Sequence, residues 1–261
     1  MVDLKENILA NKFSAAAGSY DRHSELQRRA AERLLDFIPP GKDYGSVLEI
    51  GCGTGIYTKM IAERFSSAEI TAVDISPKMV VEARGKFNNR EINWRIGDAA
   101  QLKLAENFEL ITGSAAVHWI QPLEKFLKNM TGQLAAGGEM IINLMLEDTL
   151  KELHSARRQV APRKFSPPNL PAESSVRSAL EANDLKVLES TREQTLQHYE
   201  SGRQLLRALN RQGVTAGSSA SLTPFSPGEL KRLSRLYDKK YKSAQKVYAT
   251  YDILYLRITR P

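Results

Sequence analysis

Apolar positions follow two alternating rhythms over the first 150 residues and a mostly helical one afterwards. Ser46-Val47-Leu48-Glu49-Ile50 is a short, nearly continuous apolar run that reads as a buried strand. Ile56 to Phe65 follows, with apolar side chains at 56, 57, 60, 61 and 65, the spacing of one helix face. The exchange repeats, predicting strands at 46–50, 70–74, 92–96, 108–114 and 139–146 and helices near 55–65, 77–87 and 122–134. Such alternation predicts an α/β fold, a doubly wound parallel sheet with helices on both faces. Upstream, Leu26, Ala30, Leu34 and Phe37 mark one buried helix face, ended by Pro39-Pro40-Gly41. Downstream, helices are predicted at 149–160, 171–182 and 199–212, with Gly213 as a stop. Ser226-Pro227-Gly228-Glu229 is a capping box. Strands are predicted at 186–190 and 251–259. The chain divides into a helical cap (1–43), a core (44–150) and a remainder (151–261).

One loop carries chemistry. Glu49-Ile50-Gly51-Cys52-Gly53-Thr54-Gly55 joins a strand to a helix through three glycines. Such a turn lets a ligand approach bare backbone, and the helix start offers unpaired N–H groups. The dinucleotide fingerprint wants its third glycine one residue later, where this chain has Ile56. Asp74 ends the second predicted strand about 20 residues on, where a doubly wound sheet puts the acid that grips ribose hydroxyls. Ser76 and Pro77 then read as N-cap and first residue of a helix.

Composition narrows the class. Of 261 residues, 42% are hydrophobic and 26% charged, which are globular values. No run of 18 apolar residues and no apolar leader occur, so neither a membrane span nor a secretory signal is expected. A single cysteine, Cys52, excludes an internal disulfide and a cysteine metal cluster, and no metal is expected. It reads as a packing residue inside the loop, and a cytoplasmic setting fits best. The net charge of +7 is uneven: residues 1–149 hold 17 Lys/Arg against 20 Asp/Glu, and residues 150–261 hold 20 against 10. A basic second half predicts an acidic partner.

Glu49 to Gly55, then Val73-Asp74-Ile75-Ser76-Pro77-Lys78-Met79, then Gly97-Asp98-Ala99, resemble the motifs of class I S-adenosylmethionine-dependent methyltransferases in residue type and spacing. That resemblance implies a Rossmann-like sheet of seven strands with the last antiparallel, N-terminal helices and an inserted helical lid at about 195–245, all one structural domain. It implies S-adenosyl-L-methionine as cofactor and S-adenosyl-L-homocysteine as product. Gly51, Gly53 and Gly55 would meet the methionine part, with Glu49 and Cys52 beside them. Asp74 would hold the ribose diol, Ile75 and Met79 would flank adenine, and Asp98 with Ala99 would address its exocyclic nitrogen. Ser114 joins this set at the end of the fourth strand.

The flanks are more specific. Phe13-Ser14-Ala15-Ala16-Ala17-Gly18-Ser19-Tyr20-Asp21 with Leu26-Gln27 resembles the N-terminal motif of the malonyl-carrier-protein O-methyltransferases of biotin synthesis. Ser114 to Trp119, Leu150 to His154, Leu205 to Leu209 and Gly213-Val214-Thr215-Ala216 resemble further parts of that family. It departs at His118, where relatives usually carry glutamine. The resemblance implies methylation of a carboxylate on an acidic acyl carrier protein, without nucleic acid or membrane. Tyr20, His118 and Trp119 are the catalytic candidates. Arg157, Arg158 and Arg163 are candidates for binding the acceptor carboxylate, and the sequence does not choose among them. A quinone-type or secondary-metabolite C- or O-methyltransferase shares the tyrosine motif and stays open. A base-amine methyltransferase would carry an Asn/Asp-Pro-Pro-aromatic segment where this chain reads Ser114-Ala115-Ala116-Val117.

Overall fold

The computed structural model describes residues 4–87, 90–166, 169–212 and 224–261. Gly213 and the Val214-Thr215-Ala216 segment lie outside the described residues. Helices α1 (Leu4–Ala16) and α2 (Glu25–Leu35) flank a 3-10 turn at Ala17–His23. Then come β1 (Ser46–Ile50), α3 (Ile56–Arg64), β2 (Glu69–Asp74), α4 (Pro77–Arg84), β3 (Asn93–Ile96) and β4 (Phe108–Gly113). A second 3-10 turn (Val117–Trp119), α5 (Leu123–Thr131), β5 (Leu134–Met145), α6 (Lys151–Val160) and a third 3-10 turn (Pro162–Lys164) lead to α7 (Glu173–Glu181). The chain closes with β6 (Lys186–Tyr199), α8 (Gly202–Arg211), α9 (Pro227–Lys240), β7 (Lys242–Ser243) and β8 (Lys246–Thr259).

The sheet order is β3-β2-β1-β4-β5-β8-β6, with β7 hairpinned onto β8. β1 to β5 run parallel, and β8 inserts antiparallel between β5 and β6. Strand order reverses between β1 and β4, so the crevice beyond their carboxyl ends is where ligands bind in such sheets. Both faces are covered, as near-continuous apolar strands require. Leu34, Ile61, Leu205 and Tyr237 pack on one face with Val47 and Ile141; Phe126, Leu127, Val176 and Leu180 pack on the other with Leu48 and Ile142.

Three expectations are corrected. The sheet has eight strands, because the chain from Lys242 to Lys246 folds back as a two-residue strand before β8. β6 continues to Tyr199, so the insert expected from 195 begins as strand and turns helical only at Gly202. Residues 191–199 are mostly polar and lack a strand pattern of their own; antiparallel pairing of Thr191–Tyr199 with Val247–Tyr255 holds them extended. That pairing also starts β8 at Lys246 rather than 251. Among the described residues, no helix is long and apolar enough to cross a membrane.

Candidate functional site

The glycine loop leaves β1 by two backbone bonds to the next strand: the N–H groups of Gly51 and Cys52 both donate to Val73 O, at 2.8 and 3.0 Å. Gly51 adopts φ +71°, and a Cβ there would sit 2.3 Å from the Ala116 methyl, so the loop after β4 closes directly onto it. Gly53 adopts φ +53°, yet a Cβ there would meet nothing within 4 Å. Its bare face is open, with room for a ligand to approach the backbone. Gly55 supplies the left-handed start of α3. The Cys52 side chain is buried, and burial pushes its thiol well up, which marks it as packing.

Asp74 ends β2 inside this turn. Its Oδ2 accepts from Gly53 N–H and its Oδ1 from Ser76 N–H, both at 2.8 Å. Each oxygen keeps a second lone pair for a ligand hydroxyl. Burial raises its pKa, with the two N–H bonds pulling against that rise. Ser76 caps α4 through Met79 N–H, so Met79 is buried below the loop while Ile75 is half-buried above it. Asp98 turns the chain after β3, accepting from Ala100 N–H at 2.9 Å, with Ala99 buried beside it.

Glu49 is 1% exposed, and its Oε2 has no hydrogen-bond partner. The Thr58 hydroxyl on α3 is also a buried orphan. Burial pushes the Glu49 carboxyl up to about 8, with a further push from the Asp74 charge. A buried carboxyl oxygen without a partner costs stability unless something arrives to pair with it.

The N-terminal cap is latched over this loop. Asp21 accepts from the Thr54 hydroxyl and from Lys86 Nζ, and Lys86 also reaches Thr54 O at 2.8 Å. Ser14 and Ser76 share a hydroxyl contact at 2.8 Å. Between these latches stands Tyr20, half-buried. Burial first, then the Asp74 charge, push its hydroxyl up to about 12, so it is a neutral donor at ordinary pH. Asp21, Ser14 and Lys86 were missed as site residues. Asp21 and Ser14 lay in the quoted motif, but their partners stand more than 30 residues away and no local pattern marks them.

The chain after β4 is held by Asn143 of β5, which also ties it to the cap. Its Oδ1 accepts from Ala115 N–H at 2.6 Å, and its Nδ2 donates to Ala30 O at 3.0 Å and Ser114 Oγ at 3.2 Å. Ser114 is thus part of this brace at the end of β4. His118 is 3% exposed, and its Nδ1 accepts from Met145 N–H at 3.4 Å, which leaves the ring proton on Nε2. Burial lowers its pKa to about 3, so the ring is neutral. Trp119 meets Phe13 of the cap edge-on, ring centres 5.7 Å apart. Of the three arginines, Arg158 and Arg163 are exposed. Arg157 is half-buried, with its guanidinium 4.9 Å from the Phe225 ring centre.

The residues present fit a nucleoside carrying a cationic end. Open backbone at Gly53, a braced acid at Asp74 and a buried Glu49 with an orphaned oxygen stand together at the carboxyl ends of β1 and β2.

Residues 47–138 match a methyltransferase domain family. The chain is 24% identical to a malonyl-(acyl-carrier protein) O-methyltransferase of Bacillus cereus over 98% of both chains. It is 31% identical to the biotin biosynthesis bifunctional protein BioCD of Bordetella avium, over 99% of this chain and 53% of that protein. In fold it is similar to the N-methyltransferase NodS of Bradyrhizobium japonicum, solved with S-adenosyl-L-homocysteine: TM-score 0.59, 18% identity, covering 99% of this chain and 100% of that one.

Proposed function

The chain is a class I S-adenosylmethionine-dependent methyltransferase, and from that premise we propose that it methylates the free carboxylate of a malonyl thioester on an acyl carrier protein. The observation that carries this reading is the similarity to malonyl-(acyl-carrier protein) O-methyltransferases along the whole chain, cap and lid included. A quinone-type acceptor is disfavoured by that same full-length match. The methyl ester would start a pimeloyl chain for biotin, in a cytoplasmic setting. Masking the charge suits later passage through apolar elongation sites, which an ionised carboxylate enters at high cost.

S-adenosylmethionine supplies an activated sulfonium methyl group. The residues of this chain bind and align. Asp74, held in place by the Gly53 and Ser76 N–H groups, would accept from the ribose hydroxyls. Glu49 would pair with the α-ammonium, which would give its orphaned oxygen a partner. Ile75 and Met79 would flank the adenine, and Asp98 with Ala99 would meet its amino edge.

The acceptor needs no general base, since a carboxylate with an unperturbed pKa near ~4 is already ionised. The site agrees, because buried His118 with a pKa near 3 is a poor base at neutral pH. It offers a neutral Nε2–H donor instead, which orients an anion without quenching its nucleophilicity. Tyr20 closes the other side with its own neutral hydroxyl. Phe13 and Trp119 exclude water, so catalysis is alignment in a dry site. Among the arginines, Arg157 is the one whose burial suits recognition of the acceptor.

Incubation with methyl-labelled cofactor and malonyl-charged carrier protein tests this reading. Base-labile label on the carrier is the expected result. Label on quinone precursors or RNA, with none on the carrier, overturns it.

A further inference from the structure

Helix α8 carries Arg203, Arg207 and Arg211, one per helical turn, and all three are exposed. The opposite face buries Leu205 and Leu209 against the core. No acidic residue occurs anywhere in α8, and among the described residues none of the three arginines makes an ion pair. Like charges four residues apart destabilise a helix. Nothing within the described chain offsets this, in contrast to the paired charges on α2 and α7.

The stripe leads to the mouth of the site. Gln212 Nε2 donates to His23 O, and Arg211 reaches the His23 ring at 3.4 Å. His23 ends the 3-10 turn that holds Tyr20, about 6 Å along that turn. Arg22, also exposed, adds a fourth positive charge. His23 sits between Arg211 and Arg22, and burial first, then these two charges, lower its pKa.

We propose that this arginine stripe, with Arg22 at its end, is the docking face for an acidic helix of the carrier protein. It rests on the carrier reading above and specifies where the carrier sits. Three arginines across eight residue steps span about 12 Å, which matches acidic side chains repeating every turn on a partner helix. A carrier seated there delivers its thioester arm past Tyr20. The contact is electrostatic and exposed, so it sets encounter rate and affinity more than turnover.

The test is the double variant Arg203→Glu/Arg207→Glu, which leaves the Arg211–His23 seam intact, beside the milder Arg203→Gln/Arg207→Gln. Binding of malonyl-charged carrier protein is read by fluorescence anisotropy. Methylation is read with the carrier substrate and with malonyl-pantetheine, which has no protein part. Charge reversal is expected to weaken carrier binding and raise KM for the carrier about 10-fold, with kcat and the malonyl-pantetheine rate within 2-fold. The neutral variant should fall between, and the wild-type affinity should drop with added salt. Unchanged carrier binding in the reversed variant overturns the docking face, as does equal loss on both substrates. A wild-type enzyme that binds carrier through the stripe but methylates neither substrate overturns the acceptor reading and leaves the docking face standing.

Discussion

Two buried glutamates, on β1 and on β5 with β4 between them, have opposite fates. Glu139, near the amino end of β5's paired stretch, is 5% exposed and fully partnered. It accepts from Lys42 at 2.7 Å, Tyr44 at 2.9 Å and both forks of Arg257 at 2.9 and 2.8 Å. Burial alone would raise its pKa, but Arg257, Lys42 and Tyr44 outweigh burial and hold it down to about 2. Glu49, at the carboxyl end of β1, is more buried and has an orphaned oxygen, and burial pushes it up to about 8. The same side chain is a rivet at one end of the sheet and a waiting receptor at the other. A folded chain keeps an unsatisfied buried acid only where function gains from it.

The comparison can be broken from either side. Glu139→Gln should cost about 3 kcal/mol of stability, since it leaves Arg257 and Lys42 facing a neutral group. Denaturant melts check this, and cofactor affinity of the folded fraction should stay within 2-fold. Glu49→Gln should weaken S-adenosylhomocysteine binding roughly 30-fold, or about 2 kcal/mol, by calorimetry. The ligand-free variant should meanwhile melt higher than wild type at pH 8. The sign follows from linkage: a carboxyl raised from 4.5 to about 8 penalises the folded state increasingly as pH rises through that window. Glu139 acts in reverse, stabilising above its ordinary pKa and losing that contribution as pH falls toward about 2.

Smaller effects sharpen the picture of the acceptor side. Tyr20→Phe should lower turnover about 10-fold, or about 1.4 kcal/mol of barrier, with cofactor affinity changed less than 2-fold in the same titration. His118→Gln keeps a donor, so the rate should fall by no more than about 3-fold. Its pH–rate profile should stay flat from pH 6 to 9, because the wild-type ring does not titrate there.

What was legible in the sequence was what is local. Val47 to Gly55, Asp74 and the Ser76-Pro77 cap announce themselves within a few residues, because strand, turn and helix start each have short-range chemistry. That β1 to β5 run parallel followed from their alternation with helices. The far half of β6 was not legible, since Thr191 to Tyr199 extend only because β8 lies alongside. Nor was the latch of Asp21 to Lys86 or of Ser14 to Ser76, which joins segments brought together by folding. The contrast between Glu49 and Glu139 was likewise hidden. Glu49 stood out by its place in the glycine-loop motif, but that one acid is fully partnered and the other keeps an orphaned oxygen shows only in their three-dimensional neighbours.

The direct measurement is calorimetric titration of the wild-type protein with S-adenosylhomocysteine at pH 7, in two buffers of different protonation enthalpy. The account predicts tight uptake with net proton release, because the arriving ammonium forces Glu49 to ionise, and predicts that Glu49→Gln abolishes the release. Equal heats in both buffers, or no uptake at all, would contradict it.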